Sequence, residues 1–400
     1  MTTRISTGML YQQSLTSMQS KQASMSRLQQ QLASGQKLTT AKDDPVGAGS
    51  AVGLDRAVAQ LERFGKNSDV VRHRLNMQEN VLAQAGDMVG RIQTLTVQAS
   101  TGTLSDGDRN AIAVEIRSLR DALFDLANTP DGAGRYLFGG TQDGNPPFAR
   151  SGGSVVYGGD QIQRQVEIAP QMFAADAAPG SEVFLRVRTG DGRLDVGAAA
   201  ANTGTGQIGG FALTDPAAWD GGRYRAVFDA DGGYEILDAA GDVVSGGTYA
   251  SGDVIAFNGV RVTLTGAPAE GDTFEIGPAG TRDIFATLDG MLQALTMQPT
   301  TDAGRAAQQN ALRGAMRDVA MAENHFIDLR ASGGAQLSAL DEAGELRSAL
   351  DVTLQTTLSG LRDLDYVDAI SQFNVEKVAL EAAQLSFVQM QRLSLFNLIR

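Results

Sequence analysis

The chain has 400 residues, 42% of them hydrophobic, so it is long enough for two or three domains with substantial cores. Its net charge is −13 and it has no cysteine, which excludes disulfide frameworks, cysteine metal sites and thiol nucleophiles. An acidic chain of this kind argues against a nucleic-acid partner, and no apolar run approaches the ~20 residues of a membrane helix. The first residues also lack the apolar segment of a cleaved secretion signal.

The amino-terminal segment has the heptad spacing of a helix that packs along a partner helix. From Tyr11 to Leu32, the seam positions alternate steps of four and three residues, and Gly35 is placed to end the helix. Through position 42 the segment contains no Asp or Glu, and its charged residues are Arg4, Lys21, Arg27, Lys37 and Lys42.

Two further helices follow. Asp44 is placed to cap the second helix, whose heptad register runs from Leu54 to Ala99 and predicts a length of roughly 70 Å. Ser105 and Asp108 have the spacing of a capping box before a third helix.

The sequence pattern changes between about Tyr136 and Pro278, where glycine-rich turns separate short runs of alternating polarity. Asp-Gly and Gly-Gly pairs between the runs are typical of hairpins, so we predict strands and no helix in this region. The predicted strands are Val183–Val187, Tyr224–Phe228, Tyr234–Leu237, Val254–Phe257, Val260–Leu264 and Thr273–Ile276.

The helical period then returns in three segments. A short helix is predicted over Ile284–Leu295, and a long register runs from Ala315 to Leu364. In the last helix, Phe373, Leu380 and Phe387 lie seven residues apart, and flanking apolar residues make both of its faces apolar. This is more apolar surface than a lone amphipathic helix tolerates in water, so the helix needs partners.

These patterns predict an α+β protein in which both chain ends form a long antiparallel, coiled-coil-like rod and an all-β domain is inserted in the middle. The first helix pairs with the last, and the second with the second-last. We predict an inner domain of residues 1–44 with 364–400, a rod domain of 45–145 with 281–363, and an outer β domain of 146–280. Deleting about Ser151–Gly277 is then expected to leave a folded helical rod.

Three segments resemble the bacterial flagellin family. Ala33–Gly49 resembles the end of its N-terminal signature, Arg91–Arg109 its rod helix and following turn, and Leu361–Gln384 its C-terminal signature. Two shorter stretches, Gly134–Phe148 and Leu329–Leu337, and the ending LSLFNLIR are closer to the family members at the junction of hook and filament than to filament subunits.

The resemblance implies a structural adapter that joins the hook to the flagellin filament outside the cell, after export through the flagellar type III apparatus. The implied partners are another hook-associated protein on the hook side, flagellin on the filament side, copies of the chain in a ring, and an export chaperone. The predicted assembly interface consists of apolar residues on the terminal helices: Leu15, Met18, Met25, Leu32, Phe373, Leu380, Phe387, Leu395 and Phe396.

Residues that could carry other chemistry have simpler interpretations. The two histidines, His73 and His325, are too few for a histidine-rich zinc site and are interpreted as solvated or interfacial. Asp43 and Asp44 are interpreted as a helix cap, while Asp229, Asp231 and Asp238 are assigned to hairpin turns. We therefore predict no catalytic, cofactor or metal site. The alternative functions are filament flagellin itself and a surface adhesin on a helical stalk.

Overall fold

The computed structural model describes residues 7–38, 40–42, 44–100 and 104–398, with side chains except at 7, 8, 10 and 390–398. The helices are α1 (Thr7–Ser34), α2 (Pro45–Ala99), α3 (Asp106–Ala127), α4 (Ile284–Thr296), α5 (Asp302–Arg362) and α6 (Tyr366–Leu398). The described residues separate into a terminal unit, up to Lys66 and from Ala343 onward, and a central unit from Asn67 to Glu342. Helices α2 and α5 contribute residues to both units.

The predicted helix ends are confirmed by their hydrogen bonds. Gly35 adopts a φ of 70° after α1, a left-handed conformation that favours glycine. A carboxylate oxygen of Asp44 accepts from the amides of Val46 (3.1 Å) and Gly47 (2.9 Å) at the start of α2. Ser105 and Asp108 form the capping box of α3. Asp43 lies outside the described residues.

In the central unit, α2, α3, α4 and α5 share one hydrophobic core. Two ion pairs give the relative direction of α2 and α5: Arg72 lies 2.6 Å from Asp341, and Glu79 lies 2.7 Å from Arg330. Glu79 follows Arg72 along α2, whereas Arg330 precedes Asp341 along α5. The two helices are therefore antiparallel, which confirms their predicted pairing. The largest fully buried residues of the core on these helices include Leu82, Ile92, Ile116, Leu123, Phe285 and Phe326.

The middle of the chain contains short antiparallel strands. They are β1 (Phe148–Ser151), β2 (Ser154–Tyr157), β3 (Gln165–Ala169), β4 (Met172–Ala175), β5 (Val187–Arg188), β6 (Leu194–Ala198), β7 (Gln207–Leu213), β8 (Tyr224–Phe228), β9 (Gly233–Leu237), β10 (Val243–Thr248), β11 (Val254–Phe257), β12 (Val260–Thr265), β13 (Thr273–Pro278) and β14 (Thr281–Arg282). A five-stranded sheet has the order β10-β9-β8-β13-β6, and a three-stranded sheet has the order β11-β12-β7. The pairs β1–β2, β3–β4 and β5–β14 form separate two-stranded sheets.

The strands belong to two different hydrophobic cores. The five- and three-stranded sheets enclose a second core that runs from Leu194 to Ile276. In contrast, Phe148, Val183, Phe184 and Val187 belong to the same core as the four helices. The short pair β5–β14 connects these two parts of the chain.

The predicted strand at Val183–Val187 is wrong. Ser181–Leu185 forms a π-helical turn, and only Val187–Arg188 is a strand. Val183 and Phe184 are both fully buried although they are adjacent in sequence. Adjacent residues of a strand point to opposite faces, whereas a helical turn lets both side chains enter one core. The other five predicted strands are confirmed within one or two residues at their ends.

A buried ionic network, which no local sequence pattern indicates, joins α2 to two loops of the central unit. The Arg74 guanidinium lies 2.6 Å from Asp131 and 2.9 Å from Asp176. Burial opposes ionisation of Asp131, but the amides of Ala133 and Arg135, together with Arg74, more than offset burial and lower its pKa.

Candidate assembly interface on the terminal helices

The end of α1 and the start of α6 are joined through their backbones. Gln36 and Asp363 form an isolated antiparallel bridge. The amide of Lys37 donates to the carbonyl of Arg362 (2.7 Å), and the amide of Leu364 donates to the carbonyl of Gly35 (3.0 Å). A Cβ atom on Gly35 would lie 2.8 Å from the hydroxyl of Tyr366, so this corner requires glycine for space as well as for its φ.

From this corner α1 and α6 run antiparallel and pack along each other, so the predicted pairing of the first and last helices is confirmed. Lys21 of α1 lies 3.1 Å from Glu376 of α6. Farther from the corner, the rings of Tyr11 and Phe387 are 4.9 Å apart between centroids. The residues of α6 on this side therefore have a partner within the same chain.

Three of the predicted interface residues on α6, Phe373, Leu380 and Phe387, lie on this inner face. Leu380 is 9% exposed, and Phe373 and Phe387 are partly buried at the same seven-residue spacing. On α1, Met18, Met25 and Leu32 are partly buried, and Leu15 is 38% exposed. The side chains of Leu395 and Phe396 lie outside the described residues.

A second apolar face of α6 is exposed, and the predicted interface did not include it. Val378 and Leu385 each precede an inner residue by two positions, which places them about 200° around the helix from Leu380 and Phe387. Their exposed fractions are 64% and 67%. The flanking apolar residues noted in the sequence were the signal for this face. Its exposed members are Val367, Ile370, Val375, Val378, Leu385 and Val388.

Residues that could carry other chemistry are either exposed or bound to the backbone. His73 is exposed on α2, and Nε2 of His325 lies 2.8 Å from the carbonyl oxygen of Glu182. Carboxylate oxygens of Asp229 and Asp238 accept backbone amides within hairpin turns, as predicted. Over the described ranges, no three His, Asp or Glu side chains are grouped so that they could hold a metal ion. Nor does any described helix have the length and apolar character to cross a bilayer.

Comparisons with known proteins find similarity to flagellar proteins. Residues 5–143 match the bacterial flagellin N-terminal helical region. The flagellar hook-associated protein 3 of Escherichia coli K12 is 28% identical over 396 residues, 99% of each chain. The crystal structure of Xanthomonas campestris FlgL is 51% identical, with a TM-score of 0.71, over 76% of this chain and 99% of that chain.

A further solved structure, the flagellar junction protein FlgL from Legionella pneumophila, is 26% identical with a TM-score of 0.68, over 78% of this chain and 100% of that chain. Flagellins match over smaller shares of the chain. For example, flagellin A of Vibrio anguillarum is 26% identical over 73% of this chain.

Helical termini that pair with each other around a β insertion define a subunit of the flagellin type. Within this class, the similarity to FlgL extends over nearly the whole length of the relatives. The chain belongs to the family of flagellar hook-associated protein 3, also called FlgL.

Proposed function

We propose that this chain is a structural adapter of the bacterial flagellum that joins the hook to the flagellin filament, and that it is not an enzyme. The observation that carries the proposal is the second apolar face of α6. Its inner face is covered by α1, but Val378 and Leu385 remain mostly exposed on the other side. Fully burying an aliphatic side chain of this size stabilises a complex by roughly 1.5–3 kcal/mol.

A partner that covers this face must come from another chain. The proposed partners are copies of the same chain in a ring, another hook-associated protein on the hook side, and flagellin on the filament side. An export chaperone is proposed to cover the face before assembly. We further propose that the chain reaches the outside of the cell through the flagellar type III apparatus without a cleaved signal.

The predicted domain boundaries remain part of the proposal. We propose an inner domain of residues 1–44 with 364–400, a rod domain of 45–145 with 281–363 and an outer β domain of 146–280. The predicted assembly interface consists of Leu15, Met18, Met25, Leu32, Phe373, Leu380, Phe387, Leu395 and Phe396, and those of its side chains that the structure describes would form the seam between α1 and α6. The exposed face of α6 would then make the contacts to other chains.

Deletion of the gene in its own bacterium tests the proposal. We expect hooks without filaments, non-motile cells and unpolymerised flagellin in the medium, because the filament would have no platform on the hook. Electron microscopy of the cells and immunoblots of the medium measure these outcomes, and expression of the intact chain from a plasmid should restore filaments. Filaments of normal length in the deletion strain would contradict the proposal.

A further inference from the structure

The hairpin β3–β4 of the central unit exposes a large aromatic side chain. Phe173 is 60% exposed, and Glu167 is its cross-strand neighbour. The two therefore lie side by side on one face of the hairpin. We refer to Phe173 with Glu167 as the knob.

The hairpin that bears the knob is anchored on two helices. Asn67 of α2 donates through Nδ2 to the carbonyl oxygen of Glu167 (3.0 Å), and Gln336 of α5 accepts the amide of Ala175 (3.1 Å). The buried pair of Arg74 and Asp176 follows directly after β4. Because the hairpin is held in place, docking would require little further ordering of the aromatic ring.

A groove lined mainly by small residues lies elsewhere in the central unit, between strand β6 and helices α4 and α5. Its volume is about 480 Å³. Gly290 of α4 and Gly314 of α5 both line it, and apart from the neighbouring residues and backbone of their own helices no atom lies within 4 Å of the position that a Cβ would occupy on either glycine. The space above these helices is therefore open to an inserted side chain. Other small residues in the lining are Gly197, Ala198, Ala286 and Ala311.

Arg317 lines this groove, and one nitrogen of its guanidinium lacks a hydrogen-bond partner among the described residues. Its guanidinium lies 4.9 Å from the centre of the Phe211 ring, and its buried Nε has no hydrogen-bond partner among the described residues. Burial lowers the pKa of Arg317. Two carboxylates also line the groove: Asp195 interacts electrostatically with Arg317, and Asp318 is bound to Arg282 at 2.7 Å and to the amide of Gly190. Arg317 as a whole is only partly buried, so a carboxylate brought into the groove by another molecule can pair with the accessible part of its guanidinium.

The knob and the groove do not meet within one chain. Helix α5 anchors the knob at Gln336 and borders the groove at Asp318, and 18 residues of helix correspond to roughly 27 Å. We propose that the knob of one copy docks into the groove of a second copy, with Phe173 on the small residues and Glu167 toward Arg317. The proposal deepens the proposed function, on which it rests for the layer of identical copies.

Such a contact uses two different surfaces of the same chain. It is heterologous, so each copy keeps a free knob and a free groove for the next neighbours, and repetition forms a ring or a helical layer.

The absence of cysteine allows a direct test by crosslinking of the purified full chain. The double variant with Phe173→Cys and Gly290→Cys should form a ladder of dimers, trimers and larger species under mild oxidation at high concentration. Each single variant can form at most dimers and serves as a matched control. Phe173 is exposed and Gly290 has open space, so both changes should leave the melting temperature within a few degrees of that of the unchanged chain.

Adding Glu167→Lys to the double variant tests the charge pairing, because it places a second cation near Arg317. We expect the yield of trimers and larger species to fall at least severalfold. A double variant that forms no more than dimers, a yield unchanged by Glu167→Lys, or a ladder that requires added flagellin would overturn docking between copies. Crosslinking of the purified chain does not require a flagellum. Its outcome is therefore independent of the phenotype of the gene deletion, and the two proposals can fail separately.

Discussion

Arg74 links three separate segments of the central unit through one guanidinium. It is 6% exposed on α2, and besides Asp131 and Asp176 it binds the carbonyl oxygen of Leu137 (3.1 Å). Each contact satisfies a group that has little access to water, so the network depends on all of its members.

Replacing Arg74 with Met should lower the free energy of unfolding by about 3–5 kcal/mol, because Asp131 would remain buried without its cation and Asp176 would keep only Arg164, 3.6 Å away. Urea unfolding followed by circular dichroism measures the change. Arg72→Met is the matched control, since Arg72 lies two residues away and pairs with Asp341 at the surface. The control should lose less than about 1 kcal/mol. Similar losses in both variants would show that the buried network has no special role.

Asp283 should make stability depend on pH. It caps α4 by accepting the amide of Phe285 (2.8 Å), and burial raises its pKa to about 6. Since this value lies above its ordinary value of 3.8, the native state binds the proton more tightly than the unfolded state. The contribution of Asp283 to stability therefore falls as the pH rises from about 4 to about 6, and stays low above that range.

Asp283→Asn keeps a good capping residue and removes the buried charge. At pH 7.5 we expect the variant to be more stable by about 1 kcal/mol, after allowance for the partial exposure of the group. The gain should be about half as large at pH 5, because native Asp283 is then mostly protonated. Thermal melts at the two pH values compare the variant with the unchanged chain, and a gain that is equal or larger at pH 5 would contradict the prediction.

At the scale of elements, the two faces of α6 differ in role: the inner face packs on α1 within the chain, and the exposed face is proposed to contact other chains. Leu385→Asp changes a residue that is 67% exposed, so the free chain should keep its stability and still appear in the medium. Assembly should fail, because the carboxylate would be buried against another chain without a partner. Leu380→Asp is the internal comparison: Leu380 is 9% exposed, so the variant should also loosen the pairing of α1 and α6.

Motility assays and immunoblots of the medium measure assembly and export, and limited proteolysis measures the pairing of the terminal helices. Normal swimming with Leu385→Asp would show that the exposed face makes no essential contact. Equal proteolysis of the two variants would contradict the assignment of Leu380 to the inner face.

Because the central unit has two separate hydrophobic cores, a deletion can remove the β sheets of the second core and keep all residues of the first core. Thr189 and Gly280 are joined by a backbone hydrogen bond (3.1 Å) at the end of the β5–β14 pair. Replacing Gly190–Ala279 with Asn-Gly would close this pair with a two-residue hairpin turn. The shortened chain should have a higher helical fraction and melt cooperatively, because the first core keeps its residues.

The wider deletion of Ser151–Gly277 is the comparison, since it removes Val183, Phe184 and Val187 from the core that the helices share. We expect a broad, less cooperative melt for this variant, in contrast to the folded rod that the sequence patterns predict. Circular dichroism melts of both deletions test the prediction. A cooperative melt after the wider deletion would mean that these three residues are dispensable for the helical core.

For the whole molecule, an adapter and a filament subunit differ in what they assemble. Flagellin added to filament seeds should grow long filaments, whereas this chain should stop after a short layer, because an adapter contacts unlike neighbours on its two sides. Electron microscopy of seeds incubated with either protein measures the added length. Long filaments of the purified chain alone would favour the function of a flagellin.

Local patterns in the sequence determined the helices, their caps and five of the fourteen strands. The heptad register and the pairs Asp44–Pro45 and Ser105–Asp108 act over a few residues, so they can be recognised without the fold. The pairing of the terminal helices also followed from the sequence, since neither could bury its apolar seam alone. The resemblance to the flagellin family came from the same segments.

Only the tertiary structure decided which residues of these elements face a partner. Leu380 and Leu385 are both apolar residues of α6, and their opposite exposures depend on where α1 lies. The π-helical turn at Ser181–Leu185 exists because Val183 and Phe184 enter one core. The carboxylates bound by Arg74 lie 57 and 102 residues away in sequence, so no local pattern could indicate them. Side chains distant in sequence interact only after the backbone has brought them together, and these contacts therefore follow from the fold.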